Sequence, residues 1–281
     1  MSLFIASLNS GSNGNSYYIG NDTEAVLVDA GISCRETEKR MRRLGLSMKK
    51  LKAIFISHEH TDHIKGVGRI AEKYSLPVYV TGHTCGNCGT VFNPGLATAL
   101  APHNPVQVGQ LTVTAFPKHH DAADPVSFII TGSGVTIGVF TDIGMACEQV
   151  IKYFRLCHAA FLEANYDEDM LENGRYPYHL KNRIRGGKGH LSNSQALQIF
   201  TTHRPAFMTH LLLSHLSKEN NDPSLVKQLF DAHSKGIEVV VASRYEQSAI
   251  YHIHGPSVDN KVFTMSAAAR LHTQQLSLFS S

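Results

Sequence analysis

The sequence lacks the features that mark membrane-spanning and exported proteins. Its longest apolar runs, near residues 135–140 and 237–242, fall far short of the roughly 20 apolar residues that a membrane span requires. The apolar run at residues 1–6 is too short for an export signal and has no basic residues before it. We therefore expect a cytoplasmic protein without a membrane segment.

Cysteine is scarce and scattered. The five cysteines are an odd number and do not make a disulfide framework. Cys85 and Cys88 lie near His83, but no second cysteine pair follows them, as a zinc site of that kind would require. We expect reduced thiols in a reducing compartment.

Net charge is small, whereas histidine is frequent. The 26 Lys and Arg residues against 23 Asp and Glu residues leave a charge of +3. This balance excludes an acidic disordered chain and does not by itself indicate a nucleic-acid binder. The 17 histidines outnumber the 13 phenylalanines. Because imidazole is the commonest metal ligand and acid–base group, this excess favours metal or proton-transfer chemistry.

Predicted strands and helices alternate along the chain. The patterns predict strands at residues 3–8, 16–19, 25–29, 53–56, 77–80, 111–116, 126–130, 135–140, 159–163, 206–213 and 237–242. They predict helices at 35–44, 64–74, 193–201 and 224–233, with residues 82–110 irregular. Ser192 with Gln195 is typical of a capping box, and Asp222-Pro223 of a helix start. We expect mixed sheets with helices outside, forming one domain over 1–255 with a polar tail at 256–281.

One segment concentrates metal-binding side chains. His58, His60, Asp62 and His63 follow a buried strand directly, and a chain turning there into a helix brings them together from two sides. Imidazoles with a carboxylate suit zinc, manganese or iron. Because no thiolate is included, the pattern indicates a catalytic site and not a closed structural one.

The spacing His-x-His-x-Asp-His after a strand resembles the metallo-β-lactamase superfamily. That resemblance implies an αββα sandwich of two mixed β-sheets flanked by helices, with two divalent metal ions, and it places three further ligands at later strand ends. Its order implies that the first ion is held by His58, His60 and His120, and the second by Asp62, His63 and His215, with Asp142 between them.

Several positions leave alternatives open. His119 competes with His120, although the family pattern has the histidine directly before an aspartate, as in His120-Asp121. His210 competes with His215, but it lies within a predicted strand. Asp29, at the end of a strand, is expected to orient a ligand and not to bind metal itself.

Two later segments resemble the tRNA-processing phosphodiesterase branch of the superfamily. They are Gly189-His190-Leu191-Ser192-Asn193 and the run around Glu163-Ala164-Asn165. The resemblance implies that His190 protonates the departing oxygen and that Glu163 supports it. A positioned acid suits a phosphodiester, whose leaving alkoxide departs poorly without one.

A basic segment precedes His190. Residues 175–190 contain no Asp or Glu, and their cations alternate with tyrosines, a composition that suits phosphates and stacked bases. The residues expected to contact substrate are Arg175, Lys181, Arg183, Arg185 and Lys188, with Lys218, Asn220 and Asn221 on the other side.

Taken together, residues 1 to about 255 resemble the YycJ/WalJ family of bacterial metallohydrolases linked to DNA exonuclease activity. The resemblance implies a metal-dependent phosphodiesterase acting on single-stranded DNA ends in replication or repair. The alternative is a hydrolase of small thioesters or lactams on the same fold. Near the end of the chain, Gln275, Leu276, Leu278 and Phe279 match a short peptide that docks bacterial repair enzymes on the sliding clamp.

Overall fold

Two seven-stranded β-sheets lie face to face in this chain. The structure is a computed structural model that describes residues 2–89, 91 and 93–255. The predicted tail, including the clamp-type peptide from Gln275 to Phe279, lies outside the described residues. No described helix is long and apolar enough to cross a membrane, and all five cysteines are free thiols.

The described residues contain fourteen strands, several of them separated by helices. In order they are β1 (Ser2–Asn9), β2 (Ser16–Gly20), β3 (Ala25–Val28), β4 (Leu51–Phe55), β5 (Val78–Val80), β6 (Ala97–Ala99), β7 (Val106–Val108), β8 (Leu111–Pro117), β9 (Val126–Gly132), β10 (Val135–Phe140), β11 (Ala159–Glu163), β12 (His210–Ser214), β13 (Glu238–Val241) and β14 (Tyr251–His254). The first sheet has the order β14-β1-β2-β3-β4-β5-β6, and the second β13-β12-β11-β10-β9-β8-β7.

Nine α-helices lie between the strands of the described residues, and several of them cover the outer faces of the sheets. They are α1 (Cys34–Arg43), α2 (Thr61–Ile64), α3 (Val67–Tyr74), α4 (Gly82–Asn87), α5 (Glu148–Phe154), α6 (Glu168–Asn173), α7 (Tyr178–Arg185), α8 (Asn193–His203) and α9 (Pro223–Asp231). Short 3₁₀ turns occur at Met48–Lys50 and Pro94–Leu96. Helices α1 and α3 pack on the first sheet, and α5, α8 and α9 on the second.

The core is built in three apolar layers. Aromatic side chains such as Tyr17, Phe55, Phe128 and Phe161 fill the space between the sheets, and a separate apolar layer lies under the helices on each side. Such layering arises because each strand turns alternate side chains to opposite faces, and both faces are covered. The predicted αββα sandwich of two mixed sheets is confirmed.

The two helix starts predicted from capping residues are present in the structure. Ser192 and Gln195 form the predicted capping box at the start of α8, and Asp222 caps α9 with a proline at its first turn. The predicted irregular stretch 82–110, in contrast, contains α4, β6 and β7. The strands β6 and β7 have only three residues each, too few for an alternating pattern to be visible in the sequence.

The sheet topology brings several strand ends to one edge of the sandwich. β3 is parallel to β4, and β10, β11 and β12 are mutually parallel. β8 points the same way as β10, because each is antiparallel to β9. Residues that follow these strands therefore meet at one place. Three of them, Asp29, Asp142 and His215, have left-handed backbone with φ of 58°, 54° and 56°, a strained geometry that concentrates at functional sites.

Candidate active site

The seven side chains predicted as metal ligands converge at this edge. The turn between β4 and α2 supplies four of them, and the ends of β8, β10 and β12 supply one each. In that order they are His58, His60, Asp62, His63, His120, Asp142 and His215. Their donor atoms form overlapping clusters in which all atoms lie within 4.8 Å of one another.

The first cluster consists of three imidazole nitrogens that face one another. Nε2 of His58 lies 3.0 Å from Nδ1 of His60, and Nε2 of His120 lies 3.3 Å from the same atom. Nitrogen ligands about 2.0–2.1 Å from a tetrahedral zinc ion are separated by roughly 3.3–3.4 Å. The three nitrogens are therefore spaced as ligands of one ion.

The second cluster combines one carboxylate with two imidazoles. Oδ2 of Asp62 lies 3.5 Å from Nε2 of His63 and 3.5 Å from Nε2 of His215. A mixed oxygen and nitrogen set of this kind suits zinc, manganese or iron.

Asp142 contacts histidines of both clusters. Its Oδ2 lies 3.1 Å from Nε2 of His63, and its Oδ1 lies 3.8 Å from Nε2 of His120. Oδ2 of Asp142 and Nε2 of His215 are buried, and within the described residues neither makes a hydrogen bond of good geometry. Buried polar atoms left unpaired are costly unless something else binds them, so these atoms fit cation ligands.

A hydrogen-bonded chain behind the clusters orients His58 and His63. Oδ2 of Asp29 accepts bonds from Nδ1 of His63 at 2.7 Å and from the hydroxyl of Ser57 at 2.8 Å. Since that hydroxyl donates to Asp29, it accepts from Nδ1 of His58 at 2.9 Å. In both histidines Nε2 is left to face the centre, the usual arrangement around metal-binding imidazoles. Asp29 thus lies where the sequence placed it, behind the ligands.

His120 and His215, which follow β8 and β12, are also held through their Nδ1 atoms. Nδ1 of His120 donates to the Gly189 carbonyl at 3.1 Å. Nδ1 of His215 donates to Oε1 of Glu163 at 2.9 Å, and the Asn165 amide donates to the His215 carbonyl at 2.7 Å. Each ring again turns Nε2 toward the centre.

Burial and charge divide the histidines into two electrostatic types. Burial lowers the pKa of His58 well below its ordinary value and lowers that of His120 to about 4. Burial would also lower the pKa of His63, but Asp142 and two further carboxylates outweigh it and raise the pKa to about 10. The carboxylate-rich half of the site therefore attracts positive charge, which a divalent ion would supply.

Beside the clusters, the buried Glu163 pairs with the half-buried His190. Oε1 of Glu163 lies 2.8 Å from Nδ1 of His190, and Oε2 accepts backbone N–H bonds from Ile143 at 2.7 Å and Leu191 at 3.1 Å. Burial would raise the pKa of Glu163, but His190 and the other contacts outweigh it and lower the pKa to about 2. An ionised Glu163 accepts the Nδ1 proton and leaves Nε2 of His190 to exchange protons.

The two competing histidines lie elsewhere. His119 is exposed and meets the site only through its backbone carbonyl, which accepts from Gly144 N at 2.7 Å. His210 begins β12 at the opposite end of that strand, where its Nε2 lies 3.2 Å from Glu238. Of each alternative pair, His120 and His215 are the members that join the clusters.

A cavity of about 310 Å³ opens over the clusters. Its floor includes His60, Asp62, His120, Asp142, His190 and His215, and helix α7 and the segment before it form one wall with Tyr176, Leu180, Arg183 and Ile184. Helix α7 has no buried residue. The cavity wall that the predicted basic segment forms is therefore itself accessible to solvent.

Several cations of the basic segment are already bonded to other groups of the protein. Arg183 pairs with Asp121 through Nε and Oδ2 at 2.5 Å, and Arg185 pairs with Glu172 at 2.8 Å. Lys181 donates to the carbonyl of Glu172. The acidic partners come from other segments, which the composition of residues 175–190 could not show. Arg175, Lys188 and Lys218 are exposed, as are Arg183 and Arg185, and Nζ of Lys218 lies 3.7 Å from Glu219.

Asn220 and Asn221 require a correction. Both are buried, and neither lines the cavity over the clusters. The Asn221 amide donates to the carbonyls of Ala164 and Asn165 at 2.9 and 3.1 Å and exchanges bonds with Asn193. Asn221 therefore ties together the segments that carry Glu163 and His190, and it also lines a second cavity beside the first. We exclude Asn220, which is fully buried, from the substrate contacts.

Three supporting residues were missed in the sequence. Ser57 joins Asp29 to His58, as described above. Asn15 donates to Oδ2 of Asp62 at 3.1 Å and lies 3.1 Å from Nε2 of His63, so the loop at 10–16 braces the ligands. Lys118 is buried and donates to the carbonyl of Thr141 at 2.7 Å. The adjacency of Ser57 to His58 is a sequence signal for its role, whereas the roles of Asn15 and Lys118 depend on contacts distant in sequence.

The fold and the side-chain clusters together define a metallohydrolase site of the metallo-β-lactamase type. Residues 24–215 match the family described as "Beta-lactamase superfamily domain". The chain is 33% identical to Exodeoxyribonuclease YycJ of Bacillus anthracis, over 81% of this chain and 87% of that protein. It is 31% identical to Exodeoxyribonuclease WalJ of Streptococcus pneumoniae, over 76% of this chain and 81% of that protein.

Structural comparison agrees with the sequence matches. The metallo-β-lactamase fold protein YhfI of Bacillus subtilis superposes with a TM-score of 0.68 at 18% identity, covering 89% of this chain and 99% of that one. The chain belongs to the β-lactamase superfamily and, within it, to the family of the YycJ and WalJ proteins.

Proposed function

We propose that this chain is a phosphodiesterase with two divalent metal ions, zinc or manganese, that degrades DNA from single-strand ends in replication or repair. The observation that carries the proposal is the Glu163–His190 pair beside the ligand clusters. A phosphodiester needs a proton donor for its poor leaving group, whereas a thioester or an activated lactam does not.

The two clusters described above fit one ion each, with Asp142 between them. Two divalent ions held there would lower the pKa of an attacking water and offset the negative charge of the phosphoryl group. Asp29, Ser57 and Glu163 keep the imidazoles in the tautomer that this requires.

His190 acts as the general acid. Its Nδ1 is held by Glu163, and its ring lines the open cavity with a fifth of the side chain exposed. Nε2 is thus the nitrogen available to protonate the departing sugar oxygen. A positioned acid of this kind contributes about 10²–10⁴-fold to the rate.

The choice of DNA rests on the relatives and on the charged rim. Both named relatives are called exodeoxyribonucleases and align over most of their length. Arg183 borders the cavity, and Arg175, Lys188 and Lys218 are exposed cations on the segments that precede His190 and follow His215, which suits a phosphate backbone. An open cavity with one helical wall admits a strand end without a separate clamping domain. The free thiols support a cytoplasmic location.

The decisive experiment offers the purified protein both substrate classes. Single strands labelled at the 5′ or the 3′ end are incubated with Mn²⁺, Mg²⁺ or Zn²⁺, beside nitrocefin and a glutathione thioester. We expect stepwise shortening of the DNA from one end with at least one metal. Turnover of nitrocefin or the thioester without DNA degradation would replace this proposal with the small-substrate alternative.

We also propose that Gln275, Leu276, Leu278 and Phe279 dock on the sliding clamp. Deleting residues 274–281 should abolish binding to the clamp while degradation of short oligonucleotides continues. Unchanged clamp affinity after the deletion would end this proposal.

A further inference from the structure

A second cavity, of about 210 Å³, adjoins the candidate active site. We call it the side pocket, and define it by six of its lining residues: Leu216, Ser217, Lys218, Val241, Arg244 and Tyr245. It lies between the loops that follow β12 and β13. Ser217 lines both cavities, so an extended substrate bound over the clusters would continue into the side pocket.

The lining combines an apolar floor, an aromatic ring and positive charge. Leu216 and Val241 supply the apolar surface, and Tyr245 stands 71% exposed at the edge. Lys218 and Arg244 add two cations. An exposed aromatic ring beside cations is the arrangement on which nucleic-acid bases stack while their phosphates are neutralised.

The backbone beneath Tyr245 is fixed by three separate hydrogen bonds. The carbonyl of Ser243 accepts from the Ser10 backbone N–H at 3.1 Å, and the next carbonyl, that of Arg244, accepts from the Asn13 side chain at 2.8 Å. The carbonyl of Tyr245 accepts from Nη2 of Arg40 at 2.9 Å. The exposed ring is therefore displayed on rigid backbone, which reduces the entropy lost when a ligand stacks on it.

One side-chain nitrogen of Arg244 lacks a hydrogen-bond partner among the described residues. This atom, Nη1, is buried. Such a donor gains most from a charged acceptor such as a phosphate oxygen. Gly11 leaves room for Arg244: its φ is +142°, and a Cβ there would lie 3.3 Å from Cβ of Arg244.

The loop at residues 10–16 connects the side pocket to the ligand clusters. Ser10 holds the Ser243 carbonyl through its backbone, and its hydroxyl accepts from the backbone N–H of His215 at 2.7 Å. The distance between the side pocket and the ligand clusters is thus set by one short segment of chain.

We propose that the side pocket binds the nucleotide next to the scissile phosphate, with the base stacked on Tyr245 and its phosphate bound by Arg244. This inference rests on the proposed function, because it names a subsite for the DNA strand. Tyr245 and Arg244 are then residues that set the preference for a polymer over a simple phosphodiester.

The test compares two substrates in the full chain. One is a single-stranded oligonucleotide, and the other is bis(p-nitrophenyl) phosphate, a phosphodiester without bases. Tyr245→Ala and Arg244→Met should each lower the ratio of kcat/KM for the oligonucleotide to that for the small diester at least about fivefold, mainly through KM. Tyr245→Phe, which keeps the ring, should retain the wild-type ratio.

Matched controls come from the segments that precede β11 and β12, at the strand ends away from the ligand clusters. Phe207→Ala removes an exposed aromatic ring, and Arg155→Met removes an exposed cation; both should leave the ratio unchanged. An abasic site scanned along the oligonucleotide should raise the wild-type KM at one position near the cleaved bond. Tyr245→Ala should be insensitive to that position.

Two results would overturn the inference, and they are distinguishable from failure of the proposed function. Wild-type ratios in both Tyr245→Ala and Arg244→Met would exclude the subsite, as would an abasic penalty that persists in Tyr245→Ala. Wild-type protein that hydrolyses the small diester but no DNA would instead overturn the proposed function, before any variant is compared.

Discussion

His190 and His215 are joined through a single oxygen atom. Oε1 of Glu163 lies 2.8 Å from Nδ1 of His190 and 2.9 Å from Nδ1 of His215. The other oxygen of Glu163, Oε2, accepts hydrogen bonds from the backbone N–H groups of Ile143 and Leu191. One buried carboxylate therefore positions both the proposed acid and a proposed metal ligand.

Replacing this carboxylate should damage two functions together. In Glu163→Gln the amide group cannot accept all the bonds that the carboxylate accepts, and its NH₂ opposes the surrounding donors. We expect kcat on DNA to fall about 10²–10⁴-fold and affinity for one of two metal ions to fall about 10–100-fold. Glu238→Gln, which alters a carboxylate beside His210 away from the site, is the control. Loss of activity with both ions bound at wild-type affinity would contradict the shared role.

His190→Gln should separate catalysis from metal binding. The ring is not part of either proposed ligand set, so both ions should be retained while kcat on DNA falls about 10²–10⁴-fold. The loss should be much smaller for a diester with a nitrophenolate leaving group, which departs without a proton. Metal analysis and the two rate measurements test this. Full activity on DNA would show that His190 is not the acid.

Metal binding should release protons even at pH 8. In the metal-free protein the pKa of His63 is raised to about 10, so its imidazole is charged at pH 8 and must lose a proton before Nε2 can bind a cation. An ordinary histidine would already be neutral there. Calorimetry in buffers of different ionisation enthalpy counts the protons, and affinity should fall as the pH is lowered. His233→Gln, on the surface after α9, should not change the count. Binding without proton release would contradict the assignment.

Ser57→Ala should weaken metal binding without altering any ligand. The hydroxyl accepts from Nδ1 of His58 and donates to Asp29, so its removal leaves a buried ring nitrogen unpaired. We expect affinity for at least one ion to fall about 10–100-fold in competition with a chelator. Ser47→Ala, which removes an exposed hydroxyl remote from the site, should match wild type. Equal affinity in both variants would exclude this supporting role.

The ligands could be predicted from sequence to different degrees. His58, His60, Asp62 and His63 share one turn after an apolar strand, and their spacing alone indicates a metal site. His120, Asp142 and His215 follow separate strands, so only similarity to a known family could connect them before the sheets were seen. His119 and His120 differ in exposure, which depends on how the chain leaves β8.

The substrate contacts were the least predictable. Residues 175–190 contain no acidic side chain, yet Arg183 and Arg185 are paired with Asp121 and Glu172 from other segments. Polar residues after a strand are typical of a surface loop, but Asn221 is buried because its side chain bonds the carbonyls of Ala164 and Asn165 and the side chain of Asn193. Arg244 and Tyr245 have no motif around them and become visible only through the cavity that they line.

The proposed metal centre is tested most directly by a crystal structure of the metal-loaded protein with anomalous scattering from zinc or manganese. We expect two ions about 3.5–4 Å apart, one bound by His58, His60 and His120 and the other by Asp62, His63 and His215, with Asp142 contacting both. A single ion, or two ions with His120, Asp142 or His215 outside bonding distance, would contradict it.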